Sequence, residues 1–165
     1  MPSCRPDIIP SVLYKVMDLR PEVILDVGAG HGKWGVLCYE YLKYWCNIEP
    51  VVDGVEIFKD YASKVYGVYR QVFHNDIVEV LDIVKNYDLV LIVDVIEHLE
   101  KEAGLKLLGT VSKHYLVSTP AYWNAQGASF GNDHEKHLSR WSTADFKHSQ
   151  LIKDRLGREH IMGWK

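Results

Sequence analysis

Asp26-Val27-Gly28-Ala29-Gly30-His31-Gly32-Lys33-Trp34-Gly35 is the part of the chain richest in residues that serve ligands rather than cores. Glycines at this spacing allow a tight turn and let a ligand approach the backbone closely. Three ligand classes use such turns. A phosphate loop needs Gly, four residues, then Gly-Lys-Ser/Thr. Val27 stands where its first glycine should be and Trp34 where its hydroxyl should be, so that class is excluded. The dinucleotide spacing Gly-x-Gly-x-x-Gly fits at Gly30, Gly32 and Gly35. A third register runs from Asp26 through Gly28, Gly30 and Gly32. A carboxylate two residues ahead of the first glycine suits a ligand with an ammonium group and a positive sulfonium better than a pyrophosphate.

Further carboxylates and imidazoles recur along the chain. Glu56, in Val55-Glu56-Ile57, can accept hydrogen bonds from both hydroxyls of a ribose in either register. Asp76 can accept from an adenine amino group while Ile77 packs on the ring, and Asp76 can also cap the segment that begins at Val78. Asp94-Val95-Ile96-Glu97-His98-Leu99 sets an acid beside an imidazole. His98, His134 and His137 are the candidates for a general base, needed only if the acceptor must lose a proton. His134-x-x-His137 has metal-pair spacing but lacks an evident third ligand, so no metal site is assigned.

The elements that must position these residues follow from apolar patterning. Val23–Val27, Val51–Glu56, Gln71–Asn75, Tyr87–Asp94 and Tyr115–Ser118 read as strands, and His160–Trp164 as a sixth. Helices are expected from a Ser11 cap to Pro21, from the glycine turn to Leu42, and over Tyr61–Tyr66, Val78–Val84, Glu100–Val111 and Thr143–Leu151. Residues 119–142 read as a long loop on the substrate side. Apolar strands alternating with helices predict an α/β fold, a Rossmann-like, doubly wound, mostly parallel sheet covered on both faces. Ligands bind such sheets at the carboxyl ends of the strands, where the strand order reverses, and the residues above follow strands.

The chain has 165 residues, which makes residues 1–165 a single domain. Hydrophobic residues are 47% and charged residues 25%, ordinary for a globular protein and unlike a disordered or fibrous one. The longest apolar run is too short to cross a bilayer, and the first residues lack a signal peptide's pattern. Cys4, Cys38 and Cys46 are odd in number without Cys-x-x-Cys spacing, so a cytoplasmic location is the expectation. Net charge is −3, which leaves no basic footprint for nucleic acid. From His134 onward seven Lys/Arg face four acids, a mild bias that reads as a solvated face. The many tyrosines and tryptophans make a homodimer an expectation.

Val23–Gly32, Gly54-Val55-Glu56, Asn75-Asp76-Ile77, Asp88–Leu99 and Leu116–Pro120, in this order, resemble the class I S-adenosylmethionine-dependent methyltransferases. The run Asp94–Leu99 is typical of that family and not of dehydrogenases, and Gly131–Ser142 is similar to a loop in some of its members. The resemblance implies S-adenosyl-L-methionine as cofactor and S-adenosyl-L-homocysteine as product. It implies that Asp26, Gly28, Ala29, Gly30 and Gly32 hold the methionine part, Glu56 the ribose, Asp76 and Ile77 the adenine, with Ile57 also among the cofactor-binding residues. Asp94 and Val95 would line the methyl group. His98, His134 and His137 would face a small-molecule or sugar-like acceptor. The other readings are a catalytically silent cofactor-binding module and an NAD-dependent oxidoreductase using Gly30–Gly35. Asp-Val-Ile-Glu after the fourth strand disfavours methylation of exocyclic amines of DNA, and without a Pro-Cys pair a covalent cytosine mechanism lacks its nucleophile. The family's sheet has seven strands, and the segmentation above accounts for six. The chain is therefore expected to be a minimal or C-terminally truncated form, its site closed by residues 1–20, 41–47 and 119–142 or by a second subunit.

Overall fold

The computed structural model describes residues 4–62, 64–123 and 125–165. Its strands are β1 (Val23–Val27), β2 (Val51–Val55), β3 (Gln71–Phe73), β4 (Leu89–Val93), β5 (His114–Pro120), β6 (His148–Lys153) and β7 (Glu159–Trp164). They form one sheet in the order β3-β2-β1-β4-β5-β7-β6. β1 to β5 run parallel, and β7 is antiparallel to both β5 and β6. The order reverses between β1 and β4, which pair with Val27 opposite Ile92, so the two chain segments leaving this point flank a natural crevice.

All five residues of β4 are buried, as a strand covered on both faces requires. On one face α1 (Ile9–Leu19) and α2 (Lys33–Cys46) bring Val12, Val16, Cys38 and Leu42 against Ile24, Leu89, Leu91 and Leu116. On the other, α3 (Lys101–Thr110) and short 3-10 segments set Leu107, Val111 and Val84 against Val90, Ile92 and Val117.

Four expectations are corrected. The seventh strand is present, because Thr143–Leu151 is not a helix. The Ser142 cap exists, with Ser142 N and Oγ donating to Asp145 Oδ2, but only one 3-10 turn follows. His148–Lys153 instead pairs along β7 at the edge of the sheet, and none of its residues is fully buried, as an edge strand allows. Val78–Val84 is also not an α-helix. Asp76 Oδ1 accepts from Val78 N in a local turn, and Val78, Val80, Ile83 and Val84 are β-branched, so only a 3-10 segment at Leu81–Asn86 forms. Tyr61–Tyr66 is split between the 3-10 segments Lys59–Tyr61 and Lys64–Val68, with Ser63 outside the described residues. The first helix begins at Ile9 with Pro10 in its first turn, where proline's missing N–H is harmless, rather than at a Ser11 cap. Residues 1–3 of the expected N-terminal segment and 124 of the expected loop lie outside the described residues.

Candidate active site

The turn after β1 is fastened to its neighbour strand before any ligand is considered. Gly28 N and Ala29 N both donate to the Val55 carbonyl, at 2.8 and 3.0 Å. Gly28, Gly30 and Gly32 have φ of +71°, +54° and +88°, the left-handed region that glycine alone enters without strain. Gly28 also passes so close to β4's exit that a Cβ on it would lie 2.3 Å from Val95 Cγ2. The two segments at the sheet's reversal therefore touch, and a cavity opens above them.

Glu56, just past β2, lines that cavity and is held by backbone. Its Oε2 accepts from Gly30 N and its Oε1 from Phe58 N, both at 2.8 Å. Burial pushes its pKa up, and the two amide bonds oppose that shift. Each carboxylate oxygen has more than one acceptor site, so hydroxyl donors from a ligand can still be served. Ile57, Asp76 and the buried Ile77 continue the same wall.

β4 ends in Asp94, a non-glycine residue with φ of +53°. Strained backbone of this kind persists where surrounding bonds over-determine it. Here Asp94 N donates to the Ser118 carbonyl at 2.8 Å, and Ser118 Oγ donates to Asp94 Oδ1 at 3.1 Å. Asp94, Val95 and His98 line the cavity. Glu97 is buried one layer behind, its Oε2 accepting from Thr119 Oγ1 at 2.9 Å. Burial raises the pKa of both carboxyls, and for Glu97 the nearby Asp94 charge adds to it. Burial lowers that of His98. Its Nδ1 lies 3.1 Å from the Lys136 carbonyl, an acceptor, so Nδ1 carries the proton and Nε2 keeps a lone pair.

The segment 132–141 is laced onto this floor. Leu138 N and Ser139 N donate to the Glu97 carbonyl at 2.8 and 3.1 Å, and Trp141 Nε1 donates to the Ile96 carbonyl at 3.2 Å. Trp141 is buried under Lys101 and off the cavity wall, so it pins the segment. The Leu138 side chain is exposed, so Leu138 ties the segment down through its backbone N–H alone. The His137 ring meets the His98 ring edge-on, 4.9 Å between centroids. Glu97, His98 and His137 each bring one ligand atom within 4.8 Å of the others. The third ligand that the His134-x-x-His137 spacing lacked belongs to a different set, one that leaves His134 out.

Of the residues expected at the site, Gly28, Ala29, Gly30, Glu56, Ile57, Asp76, Ile77, Asp94, Val95, His98 and His134 line one cavity. Gly32, Asp26 and His137 do not. Asp26 is a correction in kind. It is fully buried behind the turn, its Oδ2 accepting from Tyr69 OH at 2.6 Å, while that hydroxyl accepts from Gly35 N. Burial raises its pKa to about 7. It supports the turn from behind. The stretch 41–47 is another: it ends α2 with Tyr44 and Trp45 exposed, away from the cavity.

Sequence reasoning missed Cys4, Lys33, Tyr61, Asn132 and Glu135, all on the cavity wall. Tyr61 OH donates to Glu135 Oε1 at 2.9 Å, and Asn132 Nδ2 approaches that hydroxyl at 3.4 Å. Asn132 and Glu135 sit inside the segment Gly131–Ser142 singled out above; Tyr61 carries no motif, since only the fold brings it there.

No protein-family model and no curated protein matches the chain. Solved structures do. The N-terminal domain of EvdMO1 with S-adenosylhomocysteine bound superposes with a TM-score of 0.65 at 16% identity, over 97% of this chain and 82% of that one. The methyltransferase domain of bacterial CtHen1-C gives 0.63 at 16%, over 96% and 95%. A Burkholderia thailandensis 1,6-didemethyltoxoflavin-N1-methyltransferase gives 0.60 at 14%, over 93% and 77%. The chain spans only 57% of a similar Nostoc punctiforme protein and 55% of a Burkholderia thailandensis O-methyltransferase family protein.

Proposed function

We propose that this chain, whose fold is that of the class I S-adenosylmethionine-dependent methyltransferases, binds S-adenosyl-L-methionine and transfers its methyl group to a small-molecule or sugar-like acceptor. The observation that carries this reading is Glu56. A carboxylate clamped by two backbone amides, at the strand-order reversal and beside a left-handed glycine turn, is a ready acceptor for paired hydroxyls. The wall beyond it fits the remainder of that cofactor. Ile77 offers an apolar face and Asp76 an acceptor, and Asp94 adds negative charge where a sulfonium would lie. An acid-lined wall of this kind suits a cationic ligand better than a pyrophosphate.

S-adenosylmethionine, when bound, supplies a methyl already activated on a sulfonium. What remains for the protein is placement of the acceptor in line with it. Val95, held against Gly28, would bound the methyl-bearing end. His98 and His134, on the same cavity wall, would face the acceptor. The segment 132–135, tied to Tyr61, would close the acceptor side.

Titration calorimetry with S-adenosylmethionine, S-adenosylhomocysteine and NAD tests the cofactor. Binding of S-adenosylhomocysteine but not NAD is expected, with a loss of at least tenfold in Glu56→Ala. NAD binding without S-adenosylhomocysteine binding refutes the reading, and an unchanged Glu56→Ala refutes the ribose assignment. A labelled-methyl screen over metabolite pools then tests transfer. Cofactor binding with no transfer to any acceptor would leave a silent binding module instead.

A further inference from the structure

We propose that Glu97, His98 and His137 form a site for one divalent transition-metal ion, placed in the wall of the cavity. Two imidazole nitrogens and one carboxylate oxygen, all within 4.8 Å of each other, are the donor set. An ion at about 2.1 Å from each ligand sets them about 3–4 Å apart, a small contraction from the separation of up to 4.8 Å seen here.

Three features make this more than a chance meeting of polar groups. The donors are already oriented. His98 Nδ1 is committed to the Lys136 carbonyl, which leaves the Nε2 lone pair for a ligand, the arrangement second-shell partners impose on metal-binding histidines. Glu97 is likewise held by Thr119 Oγ1. The donors are also assembled deliberately: the two amides that follow His137 donate to Glu97's own carbonyl, so one ligand's backbone positions another ligand's segment. Finally, Glu97 is buried with the carboxylate of Asp94 nearby, a placement that a positive ion between acids and imidazoles would stabilise.

The donor types select the ion. Magnesium and calcium prefer all-oxygen shells, whereas imidazole suits zinc and its first-row neighbours. Three protein ligands leave coordination positions open, and His98 is the ligand that lines the cavity. An oxygen of the acceptor can take such a position. A coordinated hydroxyl releases its proton to water at lower pH than a free one, which would make His98 a ligand and not a general base. This last step, and not the metal site, rests on the methyl-transfer reading.

The test is titration of the full chain with Co2+, followed by visible absorption, and with Mg2+ by calorimetry. One equivalent of Co2+ is expected, with ligand-field bands in the visible, and Mg2+ at least tenfold weaker. Glu97→Gln and His137→Ala each lose at least tenfold in Co2+ affinity while retaining S-adenosylhomocysteine binding, which shows that they fold. His134→Ala retains Co2+ affinity. Absence of saturable Co2+ binding, equal Mg2+ affinity, or wild-type Co2+ affinity in Glu97→Gln and His137→Ala overturns the proposal. Failure of S-adenosylhomocysteine to bind the wild-type chain would instead overturn the cofactor reading.

Discussion

Gly28→Ala tests whether the switch-point turn is shaped by contact as well as by backbone conformation. Two effects act on the new methyl. With φ of +71°, a left-handed backbone carrying a Cβ costs about 1–2 kcal/mol. The methyl would also lie 2.3 Å from Val95 Cγ2, an overlap that something must relieve. Overpacking at a well-packed site costs about 1–3 kcal/mol, so the two together reach about 2–5 kcal/mol. The two effects separate in a double-mutant cycle. Val95→Ala removes both γ carbons and leaves its Cβ at 3.5 Å from the new methyl, an ordinary contact. The double variant should be relieved of the overlap and retain the backbone strain. Urea denaturation of the four proteins should therefore give a favourable coupling of about 1–3 kcal/mol, well above the scatter of about 0.3–0.5 kcal/mol for independent sites. Additive losses would refute the contact argument and leave only the φ argument standing. The S-adenosylhomocysteine affinity of the double variant carries a second message, since Gly28 and Val95 both line the cavity: it should stay below wild type even where stability returns.

Tyr69→Phe should destabilise by about 1–3 kcal/mol, because Asp26 is left buried without its hydroxyl partner. Folded Asp26 holds its proton to about pH 7, against an ordinary carboxylate value near 4. The folded state thus binds more protons in between, and stability falls as pH rises through that window. Tyr69 favours the charged form, so urea midpoints of Tyr69→Phe at pH 5 and pH 8 should differ more than those of wild type; an equal difference refutes the linkage. Gly104→Ala separates two rules of opposite sign. Helix propensity alone predicts a gain of about 1 kcal/mol, but a Cβ there would lie 2.6 Å from Trp141 Cζ2, so a loss of about 1–3 kcal/mol is expected in the urea midpoint. Trp141→Phe removes the indole N–H from the Ile96 carbonyl and Ser139 Oγ, and should lower Co2+ affinity several-fold by loosening the His137 segment, read in the same cobalt titration.

What the sequence shows and what it hides divide along a physical line. β1, β4 and the glycine turn are legible because each is dictated locally. The apolar Leu89–Val93, rich in β-branched residues and set between turn residues, fits a doubly covered strand, and three alternating glycines mark left-handed backbone. The place of Glu56, Asp76 and Asp94 on the cavity wall is legible because each follows a strand whose carboxyl end opens onto that cavity. The last third misleads for the opposite reason. Ser142 and Asp145 form a real helix-start signal, but an edge strand pairing with β7 wins over it, and that partner lies beyond any local window. Asp26 misleads in another way: its spacing to Gly28 is a site signature, yet only the packing of Tyr69 shows that it works from behind the turn.

The histidines show the same division at the level of chemistry. His134 and His137 share a sequence spacing, and spacing alone pairs them with each other. On a helix they would face the same way, but the structure has only one 3-10 turn at Asp133–Glu135. Past that turn the chain is drawn down by the Glu97 carbonyl, which takes the amides of Leu138 and Ser139. His137 is thereby carried to His98 and Glu97, while His134 remains on the cavity wall. A backbone carbonyl on the turn after β4 thus decides which imidazoles can share an ion. Side-chain pattern cannot report that choice, because the deciding group is common to every residue. The Glu-His pair of Asp94–Leu99 was readable as chemistry. Its partner His137 is set by the fold, through the amides of Leu138 and Ser139 that end on the carbonyl of that same turn.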